Sequence, residues 1–179
     1  MRANTNSRAR PARWQAGGGA LVDEERFTTG CDALSSMAAQ CACLNMRKVS
    51  RAVTQYFDEA LDPTGLRSTQ LALLVAVATH DRPSLTDLGE ILVMDPSTVS
   101  RVVKPLHGRG LLATAPGADR RRRTVALTDA GWSLIAEAVP LWRGAQERLL
   151  AGLGPDVWTG MRTDLMRTLD VVQEMNAAE

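Results

Sequence analysis

The stretch SLTDLGEILVMDPSTVSRVVKPLHGRG, residues 84–110, decides the fold, because it sets two helix starts and two helix stops in quick succession. Ser84 is placed to cap a first short helix, in which Leu85, Leu88, Ile91 and Leu92 form one apolar face. Asp95 is placed to cap a second, with Pro96 at the first helical position, where a missing N–H costs nothing. In that second helix Val99, Val102, Val103 and Leu106 keep the i, i+3, i+4, i+7 spacing of a buried face, while Ser97, Ser100, Arg101 and Lys104 fall outside. Gly108 and Gly110 mark its end.

Downstream, Leu111-Leu112-Ala113-Thr114 and Thr124-Val125-Ala126-Leu127 read as two short strands. They are joined by Ala115-Pro116-Gly117-Ala118-Asp119 and the run Arg120, Arg121, Arg122 and Arg123. Two short helices across a tight turn, then a hairpin with a basic tip, is the order of a winged helix-turn-helix. Each part has a task on B-form DNA. The second helix can enter the major groove, where Ser97, Thr98 and Ser100 offer short donors and acceptors to phosphates and base edges. Arg101 and Lys104 reach further, and an arginine there can take guanine O6 and N7 in a bidentate grip. A guanidinium suits the narrow, electronegative minor groove, so one of Arg120 to Arg123 is expected to insert there while the others hold phosphates. An arginine run by itself reads as a solvated face; its place on a hairpin tip after such a helix turns the reading to DNA.

Upstream, from about Cys41 to Leu61, Met46, Val49, Val53, Tyr56, Phe57 and Ala60 recur at helical spacing, predicting an amphipathic helix. Asp62-Pro63-Thr64-Gly65 breaks it, with Gly65 free to take a left-handed turn. Ser68 is then expected to cap a second helix, QLALLVAVATH, whose apolar residues fall on nearly all sides and which therefore belongs in the middle of the core. After the hairpin, Thr128-Asp129-Ala130 is placed to cap a long helix that Pro140 should kink. Gly152 and Gly154 separate it from a last helix carrying Trp158, Met161, Leu165, Leu169, Val172 and Met175 on one side. The expected class is mainly α with a small β-hairpin wing. Residues 1–30, with their arginines and the Gly17-Gly18-Gly19 run, are expected to be a disordered tail; residues 31–179 form the folded domain.

Composition narrows the function. The chain has 179 residues, 45% of them apolar, which suits one globular domain. No run is long enough to span a bilayer and the start lacks the apolar core of a secretory signal, so a cytoplasmic protein is expected. A net charge of +1 supplies no global attraction to polyanions, so DNA affinity must rest on the local arginine cluster. Cys31, Cys41 and Cys43 form no CxxC pair, and neither a metal site nor a disulfide is expected. His80 and His107 lie in different elements, and no nucleophile-elbow, metalloprotease, phosphate-loop or dinucleotide motif occurs, so neither catalysis nor a cofactor is expected. The competing class is a helical protein-interaction module without DNA binding, which has no use for the arginine run.

The order Ser84-Leu85-Thr86-Asp87-Leu88-Gly89, then Asp95-Pro96-Ser97-Thr98-Val99-Ser100-Arg101, then Gly110-Leu111-Leu112, then Asp119-Arg120-Arg121, and finally Val125-Ala126-Leu127-Thr128-Asp129-Ala130-Gly131 resembles the MarR family of transcriptional regulators. The resemblance runs from about Cys41 to the C-terminus. It implies a winged helix-turn-helix over about residues 66–131, with dimerisation helices over about 41–61 and 129–176. It implies a homodimeric repressor on a pseudo-palindromic operator of double-stranded DNA. The apolar stripe of the last helix independently asks for a partner, which a symmetric dimer supplies.

Carried over to this chain, the family's wing pair falls on Asp119 and Arg121, the acid bracing the arginine that enters the minor groove. The resemblance further implies a small aromatic or phenolic effector bound between the dimerisation helices and the DNA-binding lobe, with Arg47, Arg51 and His80 as polar candidates. Peroxide-sensing relatives carry a reactive cysteine in the first helix, eight residues before an arginine, and Cys43 stands eight before Arg51. The sensors' activating tyrosines would fall on Arg47 and Phe57, so that hydroxyl pair is absent. A thiol-based oxidant sensor through Cys43 is therefore the alternative, set against a cysteine that merely fills apolar space.

Overall fold

The computed structural model describes residues 33–116 and 123–178, and the expected tail at 1–30 lies outside them. The chain divides into two compact units, Met1–Arg47 and Lys48–Glu179. In the first, residues 33–40 are helical and a second helix, α1 (Ala42–Leu61), begins. The Cys41 N–H donates to the Met37 carbonyl, and Asn45 Nδ2 donates to the carbonyls of Ala39 (2.9 Å) and Cys41 (3.1 Å), so the junction between the two helical stretches is hydrogen-bonded on its own.

The second unit takes over α1 at Lys48 and continues through a 3₁₀ turn, Asp62–Thr64, into α2 (Ser68–Thr79), α3 (Leu85–Leu92) and α4 (Pro96–Gly108). A hairpin of β1 (Leu112–Pro116) and β2 (Arg123–Leu127) follows, then α5 (Asp129–Leu153) and α6 (Pro155–Ala177). Leu112 pairs with Leu127 and Pro116 with Arg123 in an antiparallel register. An isolated bridge joins Ser84 to Thr124, and the Val125 N–H donates to the Pro83 carbonyl at 2.9 Å, which ties the wing to the entrance of α3.

Helix α2 is central, as its all-round apolar sequence predicts: Leu71, Leu73, Leu74, Ala76 and Val77 are buried, and α3, α4, α5 and β2 all pack on it. Around it, Leu61, Leu66, Leu88, Val99, Val103, Leu106, Leu111, Leu112, Val125, Ile135 and Ala138 complete one core. The helix starts differently from expectation. Ser68 is its first helical residue, and the extended Arg67 occupies the cap position. The missing cap comes from ten residues back, where Asp58 Oδ1 accepts the Ser68 N–H at 2.6 Å and Oδ2 faces Arg67 Nη1 at 3.5 Å.

Thr128 caps α5 as expected: its hydroxyl oxygen accepts the Gly131 N–H at 3.1 Å and its proton goes to the Gly110 carbonyl at 2.7 Å. Helix α5 continues without interruption through Pro140. Gly131 is required at its start, because a Cβ there would collide with the Leu111 carbonyl oxygen. Helix α6 buries none of its residues: Leu165, Val172 and Met175 are exposed, and Trp158, Met161 and Leu169 are half-buried. No described helix is long and apolar enough to cross a membrane.

Candidate nucleic-acid interface

The interface is built on the turn between α3 and α4. Ser84 and Asp87 cap α3 reciprocally: the Asp87 N–H donates to Ser84 Oγ (3.2 Å) and the Ser84 N–H to Asp87 Oδ2 (2.8 Å). The helix stops at Val93, which takes the left-handed conformation at φ 53°, ψ 50°. Its N–H bonds the Glu90 carbonyl at 3.3 Å, and the Met94 N–H bonds the Gly89 carbonyl at 2.8 Å, the two bonds of a Schellman ending. Gly89 lets the chain close this tightly, since a Cβ there would stand 2.8 Å from the Met94 carbonyl oxygen. Helix α4 ends by the same device, with Gly110 at φ 72° and bonds from Gly110 to His107 and from Leu111 to Leu106.

Helix α4 is held from inside by Val99, Val103 and Leu106, all buried, while Ser97, Ser100, Arg101 and Lys104 are exposed and Thr98 is half-buried. The outer face predicted from sequence is therefore assembled as expected. The hydroxyl chemistry is narrower than expected. Asp95 Oδ1 accepts from the Ser97 N–H (3.0 Å), the Ser97 hydroxyl (2.5 Å) and the Thr98 N–H (3.0 Å), while Oδ2 accepts from the Thr98 hydroxyl (2.6 Å). The Ser100 hydroxyl donates to the Pro96 carbonyl at 2.9 Å. Arg101 Nη2 in turn donates to Ser97 Oγ at 2.9 Å, one turn back. The hydroxyl protons of Ser97 and Thr98 hold the Asp95 carboxyl well below the usual carboxylate range, with their backbone N–H groups adding to the effect. Sequence reasoning placed Asp95 only as a cap; the Asp-Pro-Ser-Thr order, which puts hydroxyls two and three residues after an acid, is the signal for the larger role.

On the wing, Asp119, Arg120, Arg121 and Arg122 lie outside the described residues. Arg123 opens β2, is exposed, and donates from Nη2 to Thr114 Oγ1 on the opposite strand at 2.8 Å.

The effector candidates fall in separate places. Arg51 lines an open cleft of about 450 Å³ with Thr54, Asp58, Glu59 and Arg67. His80, expected to be either a ligand or a core residue, is exposed and bonds the Ala76 carbonyl through Nδ1 at 2.9 Å. It lines a different cleft of about 390 Å³ with Arg82, Val125 and Trp132. Arg47 is an exposed residue of α1 in the first unit. Cys43 is free and exposed, so it does not fill apolar space in the chain, and Cys41 is free and half-buried.

A sequence profile of the MarR family matches residues 64–123, the span of α2 through the wing. The chain is 31% identical over 110 residues to the HTH-type transcriptional repressor NicR of Pseudomonas putida, covering 60% of this chain and 69% of NicR. Among solved structures it is similar to the transcriptional regulator MosR of M. tuberculosis in complex with DNA, with a TM-score of 0.70 and 29% identity over 76% of this chain and 98% of that one. It is also similar to Bordetella bronchiseptica BpsR, described for regulation of its DNA binding by 6-hydroxynicotinic acid, with a TM-score of 0.67 and 26% identity over 74% of this chain and 95% of BpsR.

Proposed function

The chain belongs to the MarR family of transcriptional regulators, and from that premise we propose that it is a homodimeric, sequence-specific repressor that a small molecule releases from its operator. The observation that carries the DNA reading is α4 itself: a helix clamped by three buried apolar residues that turns Ser97, Ser100, Arg101 and Lys104 outward together. The similarity to MosR in complex with DNA and to the repressor NicR supports it. Helix α4 lies in the major groove, and the wing residues Asp119 to Arg123 reach the adjacent minor groove and its phosphates, with Arg121 inserted and Asp119 its brace. This is a regulatory rather than a catalytic role, exercised in the cytoplasm where the operator is.

Two copies pair through the apolar residues of α5 and α6 that one chain leaves exposed, among them Trp142, Leu165, Val172 and Met175. Pairing two identical reading heads demands a pseudo-palindromic site with half-site centres about one helical turn, roughly 10 base pairs, apart. The effector is a small aromatic or phenolic molecule, the class to which the 6-hydroxynicotinic acid of BpsR also belongs. Arg51 and His80 bind it from different clefts, so they act as alternatives and not as one pair. A second reading, oxidant sensing, draws on the exposure of Cys43. Operator release by peroxide that vanishes in Cys43→Ser supports it, and unchanged operator affinity after peroxide excludes it.

The test is selection of duplexes from a randomised pool by the full-length protein, followed by sedimentation of the complex. Two chains on one pseudo-palindromic duplex is the expected result. A monomer at micromolar concentration on a single half-site refutes the dimeric reading.

A further inference from the structure

The three backbone donors in the first turn of α4 are all committed inside the protein. The helix has no N–H at Pro96; those of Ser97 and Thr98 go to the Asp95 carboxylate, and that of Val99 goes to the Asp95 carbonyl at 3.1 Å. This helix N-terminus is therefore closed to a phosphate, which needs free donors. The hydroxyl protons of Ser97 and Thr98 are also on Asp95, and that of Ser100 is on the Pro96 carbonyl. A hydroxyl has one proton and two lone pairs. Once the proton is spent, only the lone pairs face outward.

We propose that Asp95 is a positioning residue that sets the hydrogen-bond polarity of the recognition helix, leaving its hydroxyls as acceptors that read the exocyclic amino groups of adenine N6 and cytosine N4. The inference rests on the DNA-binding reading above and specifies its chemistry. In the major groove guanine and thymine present only acceptors, at O6, N7 and O4, which lone pairs repel, whereas adenine adds an amino donor at N6 beside its N7 acceptor and cytosine presents one at N4. Donor readout is left to Arg101 and Lys104. Ser97 spends one lone pair on Arg101 Nη2, whereas Thr98 and Ser100 accept from no protein donor among the described residues. Asp95 thus acts on the base edges through two neighbours and touches no base itself. Phosphate contacts must come from the longer cations and the wing.

The variant Asp95→Asn separates this role from capping. Asparagine caps helices as well as aspartate, and its Oδ1 keeps the three bonds to Ser97 and the Thr98 N–H. Its amide nitrogen replaces Oδ2, cannot accept from Thr98, and instead donates to that hydroxyl, which frees the Thr98 proton to point outward. Randomised duplex pools are selected in parallel on the wild type and on Asp95→Asn, with melting temperature and affinity for a random-sequence duplex measured on both. In the duplex selected by the wild type, replacing one adenine by purine or one cytosine by pyrimidin-2-one, which removes only the exocyclic amino group, should lower affinity about fivefold at a position facing α4. Asp95→Asn should remain folded, melting slightly below the wild type because charged hydrogen bonds become neutral ones, and bind random duplex at least as tightly, having lost a negative charge. In Asp95→Asn the loss of that amino group should cost less at one position, with the ratio of selected to random affinity falling about fivefold, as expected for one hydrogen bond.

An identical selected sequence and an unchanged ratio in Asp95→Asn overturn the proposal and leave Asp95 a cap. A wild type indifferent to the loss of every such amino group overturns it as well. A wild type that enriches no sequence at all refutes the DNA-binding reading itself, and this inference falls with it.

Discussion

Replacing Val93 with asparagine should stabilise the protein, although nothing in the hydrophobic pattern marks Val93 as a poor residue. Val93 ends α3 at φ 53°, ψ 50°, where a β-branched side chain crowds its own backbone. The left-handed conformation costs about 1–2 kcal/mol for an ordinary L-residue, and asparagine tolerates it. Against this relief stands the side chain's own burial. Val93 is 57% exposed, so about two-fifths of a valine is covered, and at about 1.5 kcal/mol for complete burial its loss costs about 0.6 kcal/mol. The balance for Val93→Asn is a gain of about 0.4–1.4 kcal/mol. At about 2–4 °C per kcal/mol for a chain of this size, the melting temperature should rise by about 1–6 °C. Val93→Gly gains the same relief but gives back about 0.5–1 kcal/mol through the freer unfolded chain, so it should be nearly neutral. The assay is thermal and urea unfolding of the three proteins at one fixed protein concentration, because dimerisation makes the midpoint concentration-dependent. A Val93→Asn protein less stable than wild type would falsify the strain argument.

Other substitutions test the interface and its supports. Arg101→Ala should cost about 1–3 kcal/mol on the selected duplex and little on random duplex, whereas Lys104→Ala should weaken both alike and lower the slope of log affinity against log salt by about 1; equal losses for Arg101→Ala on both duplexes contradict the base-reading assignment. Gly131→Ala drives a methyl group into the Leu111 carbonyl and to 2.9 Å from Leu127 Cδ2, so urea unfolding should show a loss of about 1–3 kcal/mol; full stability means that the junction of wing and α5 relaxes freely. Asp58→Ala should cost about 1 kcal/mol and Ser68→Ala less than about 0.5, because the cap of α2 is the distant acid; the reverse order would restore Ser68 as the cap. The Asp95 carboxyl lies below the usual carboxylate range, so its contribution to stability is present above the ordinary aspartate pKa and is lost only as the pH falls into strong acid. In a His107→Gln background, which removes the one histidine of α4, base selectivity measured by fluorescence anisotropy should stay flat from about pH 5 to pH 8; a step in that window contradicts an ionised Asp95.

The parts of this protein that were legible in its sequence are those held by contacts three or four residues apart. Ser84, Asp95 with Pro96, and Thr128 cap their helices where the pattern placed them, and Gly65 takes the left-handed turn expected of it, because a cap or a turn is closed by its immediate neighbours. The apolar spacing of Val99, Val103 and Leu106 placed the outer face of α4 by the same logic, since the helix period leaves the intervening residues no other direction. Tertiary structure decided the rest. The acid that caps α2 comes from α1, ten residues away across a turn, and Val93 is driven into a glycine-like conformation because α3 and α4 must both reach the core beneath it. His80 and Arg51 look alike in sequence as polar neighbours of apolar helices, yet they face different clefts. The polarity of the recognition surface also depended on structure, because Ser97, Thr98 and Ser100 are equal donors and acceptors on paper. Only the direction of each hydroxyl proton, set by the folded position of Asp95 and the Pro96 carbonyl, determines what remains for a base edge to meet.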